Sequence, residues 1–293
     1  MPKFIRHFAF AALLCAAALV APRSARAVNL VPNPSFETLS SCPTSFSQLA
    51  NATPWFLPTT GTSDVYNACV VGFPTFPVPG VPGSPFGFQN ARTGVGMAGF
   101  IVSNVNDYHE YIEAPLTSPL AGGQTYLVKF YVNLADTADR AVDRLGAYLS
   151  VAQVGPLAQN TTLALTPQVE SPANTFLTDT QNWMLVSGLY TAVGGESYIT
   201  IGSFRDDANQ NVQPTGNTWP GSDYYIDDVS VELQLPTVQA CCMSDGSCSM
   251  QFPGECTLAG GTPLGAGTSC DTSPCGPTPA QRKTWGEVKS RYR

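Results

Sequence analysis

Residues Thr125–Leu134 alternate with a period of two: Tyr126, Val128, Phe130, Val132 and Leu134 on one side, Lys129, Tyr131 and Asn133 on the other. That pattern predicts a half-buried strand. Shorter runs of the same kind cover 96–103, 108–114, 145–152, 183–191, 197–204 and 224–233, with turn signals such as Gly122-Gly123 and Gly194-Gly195 between them. No amphipathic helical stretch of convincing length interrupts them. Many short strands punctuated by Gly and Pro predict an all-β fold, a β-sandwich of jelly-roll type over residues 28–235. Trp183, heading one of the strands, is expected in the core. Residues 70–88 carry prolines at 74, 77, 79, 82 and 85. Proline has no N–H to donate, so this stretch is expected as an extended surface loop and not a central strand.

The two ends differ from this body. Residues 1–27 read as a signal peptide: Lys3, Arg6 and His7 precede an apolar run from Phe8 to Val20, and Ala25-Arg26-Ala27 supplies a small-x-small cleavage site. No later segment is apolar and long enough for a membrane helix, so no membrane span is expected. Residues 236–276 form a separate module, poor in aliphatics and rich in Gly, Ser, Thr and Cys. Residues 277–293 form a basic tail holding Arg282, Lys283, Lys289, Arg291 and Arg293.

Removal of the leader takes away four of the fourteen basic residues and leaves ten against twenty-one acids, a formal charge of −11. Nucleic acid is bound mainly by neutralising phosphates, so an acidic body argues against it as a partner. Removal of the leader also discards Cys15 and leaves eight cysteines: Cys42, Cys69, Cys241, Cys242, Cys248, Cys256, Cys270 and Cys275. An even number in an exported chain reads as disulfides. The module from 236 is too small to bury a sufficient core alone and needs that stapling. Adjacent Cys241 and Cys242 are not expected to pair with each other; the sequence leaves the rest of the connectivity open. Extracellular or cell-surface localisation follows.

Asn29-Leu-Val-Pro-Asn-Pro-Ser-Phe-Glu37 and Tyr225-Ile-Asp-Asp-Val-Ser-Val-Glu232 resemble the first and last strands of galactose-binding-like jelly rolls. Carbohydrate-binding modules of bacterial polysaccharidases belong to that group. The stretches around Trp55, Gly61–Cys69, Gly94–Gly99 and Gly195–Gly202 resemble a secreted domain of bacterial cell-surface proteins. Ala240–Cys248 with Glu255–Gly261 and Gly267–Cys270 is similar to a small disulfide repeat of secreted bacterial proteins. The first resemblance implies a structural calcium ion that cross-links the first and last strands through Glu37 and Asp227, with backbone carbonyls completing an oxygen shell. Asp228 is then expected on the opposite face.

Sugar recognition needs aromatic platforms beside planar polar groups. The candidate ligand-binding residues are Trp55, Asp64 and Tyr66 in the first loops, Tyr131 and Asn133 on the outward side of the long strand, and Trp219 in a turn. Trp55 is also a candidate for the core. Catalytic signals are poor: His109 is the sole histidine after residue 27, no serine sits in a G-x-S-x-G elbow, and the doublets Asp206-Asp207 and Asp227-Asp228 would point to opposite faces of a strand. The reading is a non-catalytic, secreted or surface-attached module that recognises a glycan or other cell-surface component. The alternatives are a structural surface or matrix protein making protein–protein contacts and, further off, a glycoside hydrolase.

Overall fold

The computed structural model describes residues 27–71, 78–272 and 274–276. Residues 1–26 of the expected signal peptide, residues 72–77 of the Pro/Gly stretch and the expected basic tail from 277 lie outside the described residues. In chain order the strands are β1 Asp64–Asn67, β2 Gly83–Ser84, β3 Gly87–Phe88, β4 Gly96–Ser103, β5 Ile112–Pro115, β6 Thr125–Leu134, β7 Arg140–Val142, β8 Gly146–Ser150, β9 Val169–Glu170, β10 Met184–Thr191, β11 Tyr198–Gly202, β12 Val212–Pro214 and β13 Ser222–Leu233. They are followed by β14 Gln239–Cys242, β15 Cys248–Gln251, the short helix α1 Pro253–Leu258 and β16 Thr262–Pro263. No helix of the described residues is long and apolar enough to cross a membrane.

Two antiparallel sheets make the sandwich: β1-β4-β13-β6-β10 and β5-β11-β8-β9. The predicted alternation of β6 is realised. Tyr126, Val128, Phe130, Val132 and Leu134 enter the core shared with Ile112, Ala147, Leu149, Ile199 and Ile201 of the second sheet. β4 and β6 have the bounds the pattern predicted.

Two expectations are corrected. The segment Asn29–Glu37 is not a strand: it meets the closing strand at one bridge, Asn29 opposite Glu232, with Leu30 N donating to Val231 O, and again where Val229 N donates to Pro34 O. Pro32 and Pro34 cannot donate to a ladder, and Asn33 and Phe36 turn the chain at positive φ. The strand expected over 108–114 begins only at Ile112, because Asn106 and Asp107 are left-handed and bend the chain before it.

In the module after the sandwich, β15-β14-β16 form a small sheet. Its disulfides are Cys241–Cys256, Cys242–Cys275 and Cys248–Cys270. Ala240, Cys241 and Cys256 are its buried core residues, so cross-links replace apolar burial. A loop of about 15 residues closed this way restricts the unfolded chain by about 3 kcal/mol. Cys42–Cys69 ties the segment carrying Trp55 to the end of β1.

Candidate functional site

Trp55 is core. It is 2% exposed, packs on Phe36 with ring centroids 4.9 Å apart, and donates from Nε1 to Asn33 O at 2.9 Å. It offers no platform to a ligand. The other five candidates lie on or beside the outer face of the five-stranded sheet. Cross-strand register aligns Asp64, Gly99, Tyr225 and Asn133 in one row there. Much of that face is closed. Tyr66 is buried edge-on against Tyr225 beneath Phe46 and Phe86, and Asn133 is buried under the 179–182 turn, donating to Asp179 O and Asn182 O. Burial pushes the Asp64 carboxyl well above its ordinary range, against the hydrogen bond from Ser47 N. Trp219 is half-buried, edge-on to Phe86. Trp183, expected inside, is half-buried on this outer face, its Nε1 donating to Asn90 O. Tyr131 is half-exposed, but the Arg92 guanidinium sits 3.4 Å above its ring and occupies the platform.

Glu37 and Asp227 close on one loop from its two ends. Asp227 Oδ2 accepts from Arg92 N and Thr93 N; Glu37 Oε1 accepts from Val95 N and Gly96 N. The approach is close enough that a Cβ at Gly94 would clash with Glu37 Oε1. Asp227 is fully buried, and burial pushes its carboxyl up to about 7. The loop's Arg92 pairs instead with Asp228. Neither Glu37 nor Asp227 has a cationic side-chain partner among the described residues; each is held by two backbone N–H groups of the loop. Asp228 does not follow strand alternation: it is the extra residue of a β-bulge, at φ 49°, and binds Ser35, Thr93 and Arg92. Asp206-Asp207 likewise lies in a turn after β11, so neither doublet obeys the alternation expected of a strand.

The outer face of the four-stranded sheet holds a site that sequence reasoning missed. Register places Glu113, Thr200 and Tyr148 in one row across β5, β11 and β8. The chain leaving β8 folds back over this row. Val154 N and Gly155 N donate to the Glu113 carboxylate, Leu163 N donates to Tyr111 Oη, and Gln168 brackets the Leu149 backbone. Glu113 is fully buried, and burial pushes it up to about 7 despite the two N–H donors.

Between this covering segment and the sheet edge remains a cleft of about 630 Å³. Tyr148 and Tyr190, both half-buried, the exposed amides Gln153 and Gln159, and the exposed Leu157 line it. Ser150 also lines it, and its Oγ has no hydrogen-bond partner among the described residues. Glu196 forms part of the wall, accepting from Tyr190 Oη, Val193 N and Gly194 N. Burial raises its pKa, but these hydrogen bonds outweigh burial and hold the carboxyl below its ordinary value. The legible signal was Tyr148 on the outward register of a predicted strand, followed by three glutamines at 153, 159 and 168.

A third cluster lies at one end of the sandwich. Asp107, His109 and Asp207 present one ligand atom each within 4.8 Å of one another, a group able to hold a metal ion. Asp107 N donates to Asp207 Oδ2 and Asp207 N to Asp107 Oδ1, a reciprocal pair that fixes the two loops together.

No protein-family model matches the chain, and no curated protein matches it. Among solved structures, the CBM22-1 xylan-binding domain from Paenibacillus barcinonensis is 12% identical at a TM-score of 0.37, over 72% of this chain and 97% of that one. A cleaved adhesin domain of Lys-gingipain from Porphyromonas gingivalis is 15% identical at 0.34, over 69% and 96%. The enzymatically active domain of tailspike protein 4 of bacteriophage CBA120 is 14% identical at 0.35, over 70% of this chain and 21% of that one. Likeness this distant says nothing of what this chain binds, since one fold hosts unrelated functions.

Proposed function

We propose that this chain is a secreted or cell-surface, non-catalytic glycan-binding module whose sugar site is the cleft beside β8. The supporting observation is the company Tyr148 keeps. Two half-buried tyrosines and two exposed amides converge on one cleft. A pyranose needs that combination: an apolar face to stack on a ring, and hydroxyls to exchange with amides and hydroxyls. The site is of ordinary ligand size, since such clefts run from about 300 to 1,000 Å³. Four disulfides suit an oxidising compartment outside the cytosol.

The test is a glycan array in calcium-containing buffer, followed by titration of the best saccharide into the full chain. Tyr148→Ala is expected to weaken binding about tenfold or more, as loss of an aromatic anchor does. An array with no bound saccharide defeats the proposal.

Glu37 and Asp227 would hold a structural calcium ion against the 92–96 loop, where its charge would offset the two carboxylates. Calcium is expected to raise the melting temperature of the full chain, in proportion to the logarithm of its concentration above Kd. Asp227→Asn should abolish that rise. A melting temperature indifferent to calcium removes the ion from the account.

A further inference from the structure

We propose that Asp107, His109 and Asp207 bind one divalent transition-metal ion of the zinc type, at the end of the sandwich away from the Glu37–Asp227 loop. The donor set is the first reason. One imidazole and two carboxylates form a mixed nitrogen and oxygen set, which suits zinc and its neighbours, whereas calcium prefers oxygen throughout. Geometry is the second. His109 Nε2 lies 3.3 Å from Asp107 Oδ1 and 3.9 Å from Asp207 Oδ1. Two ligand atoms each about 2.1 Å from an ion, at angles of about 90–110°, stand about 3.0–3.4 Å apart. The first spacing already fits, and the second needs a shift of a few tenths of an ångström.

The imidazole supplies an independent reason. Its side chain is 0% exposed, yet neither ring nitrogen has a hydrogen-bond partner among the described residues. A buried polar group left unpaired is costly, and buried histidines are ordinarily satisfied. Here the unpaired Nε2 lies beside two carboxylate oxygens, 3.3 and 3.9 Å away.

The surroundings favour a cation over an ion pair within the protein. Asp206 adds a further negative charge beside the ring. The nearby Arg144 and Arg205 are both engaged by Glu170. The acids are preorganised without the histidine. Thr162 Oγ1 and Asp207 N hold Asp107 Oδ1, and Asp107 N holds Asp207 Oδ2. Asp107 and Asp207 are 33% and 41% exposed, so an ion can enter from solvent and complete its shell with water. Bound there, it would clamp the 104–109 loop to the turn after β11, beside a polar cleft of about 450 Å³ lined by Asp107, Thr162, Arg205 and Asn209. Competing soft ligands are scarce: the eight cysteines after residue 27 are all in disulfides, and the one other histidine is His7.

The experiment is calorimetric titration of zinc chloride into the full chain in excess calcium, with cobalt(II) absorption as a second readout. One zinc per chain is expected, together with visible cobalt bands. His109→Gln should abolish both, and Asp207→Asn, at a half-exposed position, should weaken zinc about tenfold or more. Circular dichroism establishes that each variant is folded; should His109→Gln fail to fold, Asp207→Asn decides. Zinc binding of unchanged stoichiometry and affinity in a folded variant overturns the proposal, as does the absence of zinc binding by the unaltered chain.

Discussion

Replacing Trp55 with alanine lowers the stability of the sandwich by about 3–5 kcal/mol, the range for deleting a large buried aromatic. The indole is enclosed by Phe36 and the rest of the main core, and its Nε1 satisfies Asn33 O. The change leaves a cavity and an unpaired backbone carbonyl together. Asn33 sits at positive φ in the turn that brings Glu37 to its loop, so the loss extends to the 92–96 region. Urea unfolding measures the effect. The central account also requires that saccharide affinity, measured where the variant is still folded, be unchanged. A variant as stable as the parent would place Trp55 outside the core and restore it as a ligand platform.

Stability falls as pH rises from about 5 to 8, and Glu113 carries a large share of the fall. Its folded pKa is about 7 against an ordinary 4.5, raised by burial. Between those values the folded state binds the proton and the unfolded state does not. The contribution is therefore fully present below the unfolded pKa and is lost as pH rises through about 7. A difference of this size corresponds to roughly 3 kcal/mol. Asp223, also pushed to about 7 by burial and then by the charge of Glu110, acts in the same direction, as do Asp227, pushed to about 7 by burial, and Asp64, raised well above its ordinary value by burial. Asp107, Asp139, Asp179 and Glu196 are held below their ordinary values and act oppositely, their contributions vanishing as pH falls toward and below about 4. Greatest stability therefore falls near pH 5. Glu113→Gln, followed by urea unfolding across this range, should flatten the decline; an equally steep decline in the variant contradicts the assignment.

The sandwich was legible because period-two alternation is set by burial on one face. β6 and β4 emerge with their predicted bounds for that reason. β1 was not legible: Asp64–Asn67 is four residues long and its outward positions are covered by Phe46 and Phe86, which no local pattern announces. The opening segment was expected as a strand through resemblance, yet its prolines and left-handed turns allow only isolated contacts with the closing strand. The bulge at Asp228 is equally silent in sequence, since alternation is assumed wherever a strand is read.

The candidate sites divide in the same way. Glu37 and Asp227 were picked out through resemblance alone; that both hold the 92–96 loop through its backbone N–H groups was not legible in the sequence. Residue type could not reveal that Trp55 and Tyr66 are enclosed or that Arg92 covers Tyr131. Those outcomes depend on contacts distant in sequence. The β8 cleft depends on one such contact, the return of Val154 and Gly155 to Glu113. His109 was set aside as a catalytic base; its value as a ligand appears only when Asp207, about a hundred residues away, folds against Asp107.

Titration of the best array saccharide into the unaltered chain, Tyr148→Ala and Trp219→Ala is the most direct measurement of where this protein binds. The cleft beside β8 predicts loss of about tenfold or more in affinity for Tyr148→Ala and none for Trp219→Ala. Full affinity in Tyr148→Ala, with loss in Trp219→Ala, would move the site to the opposite sheet and contradict the account.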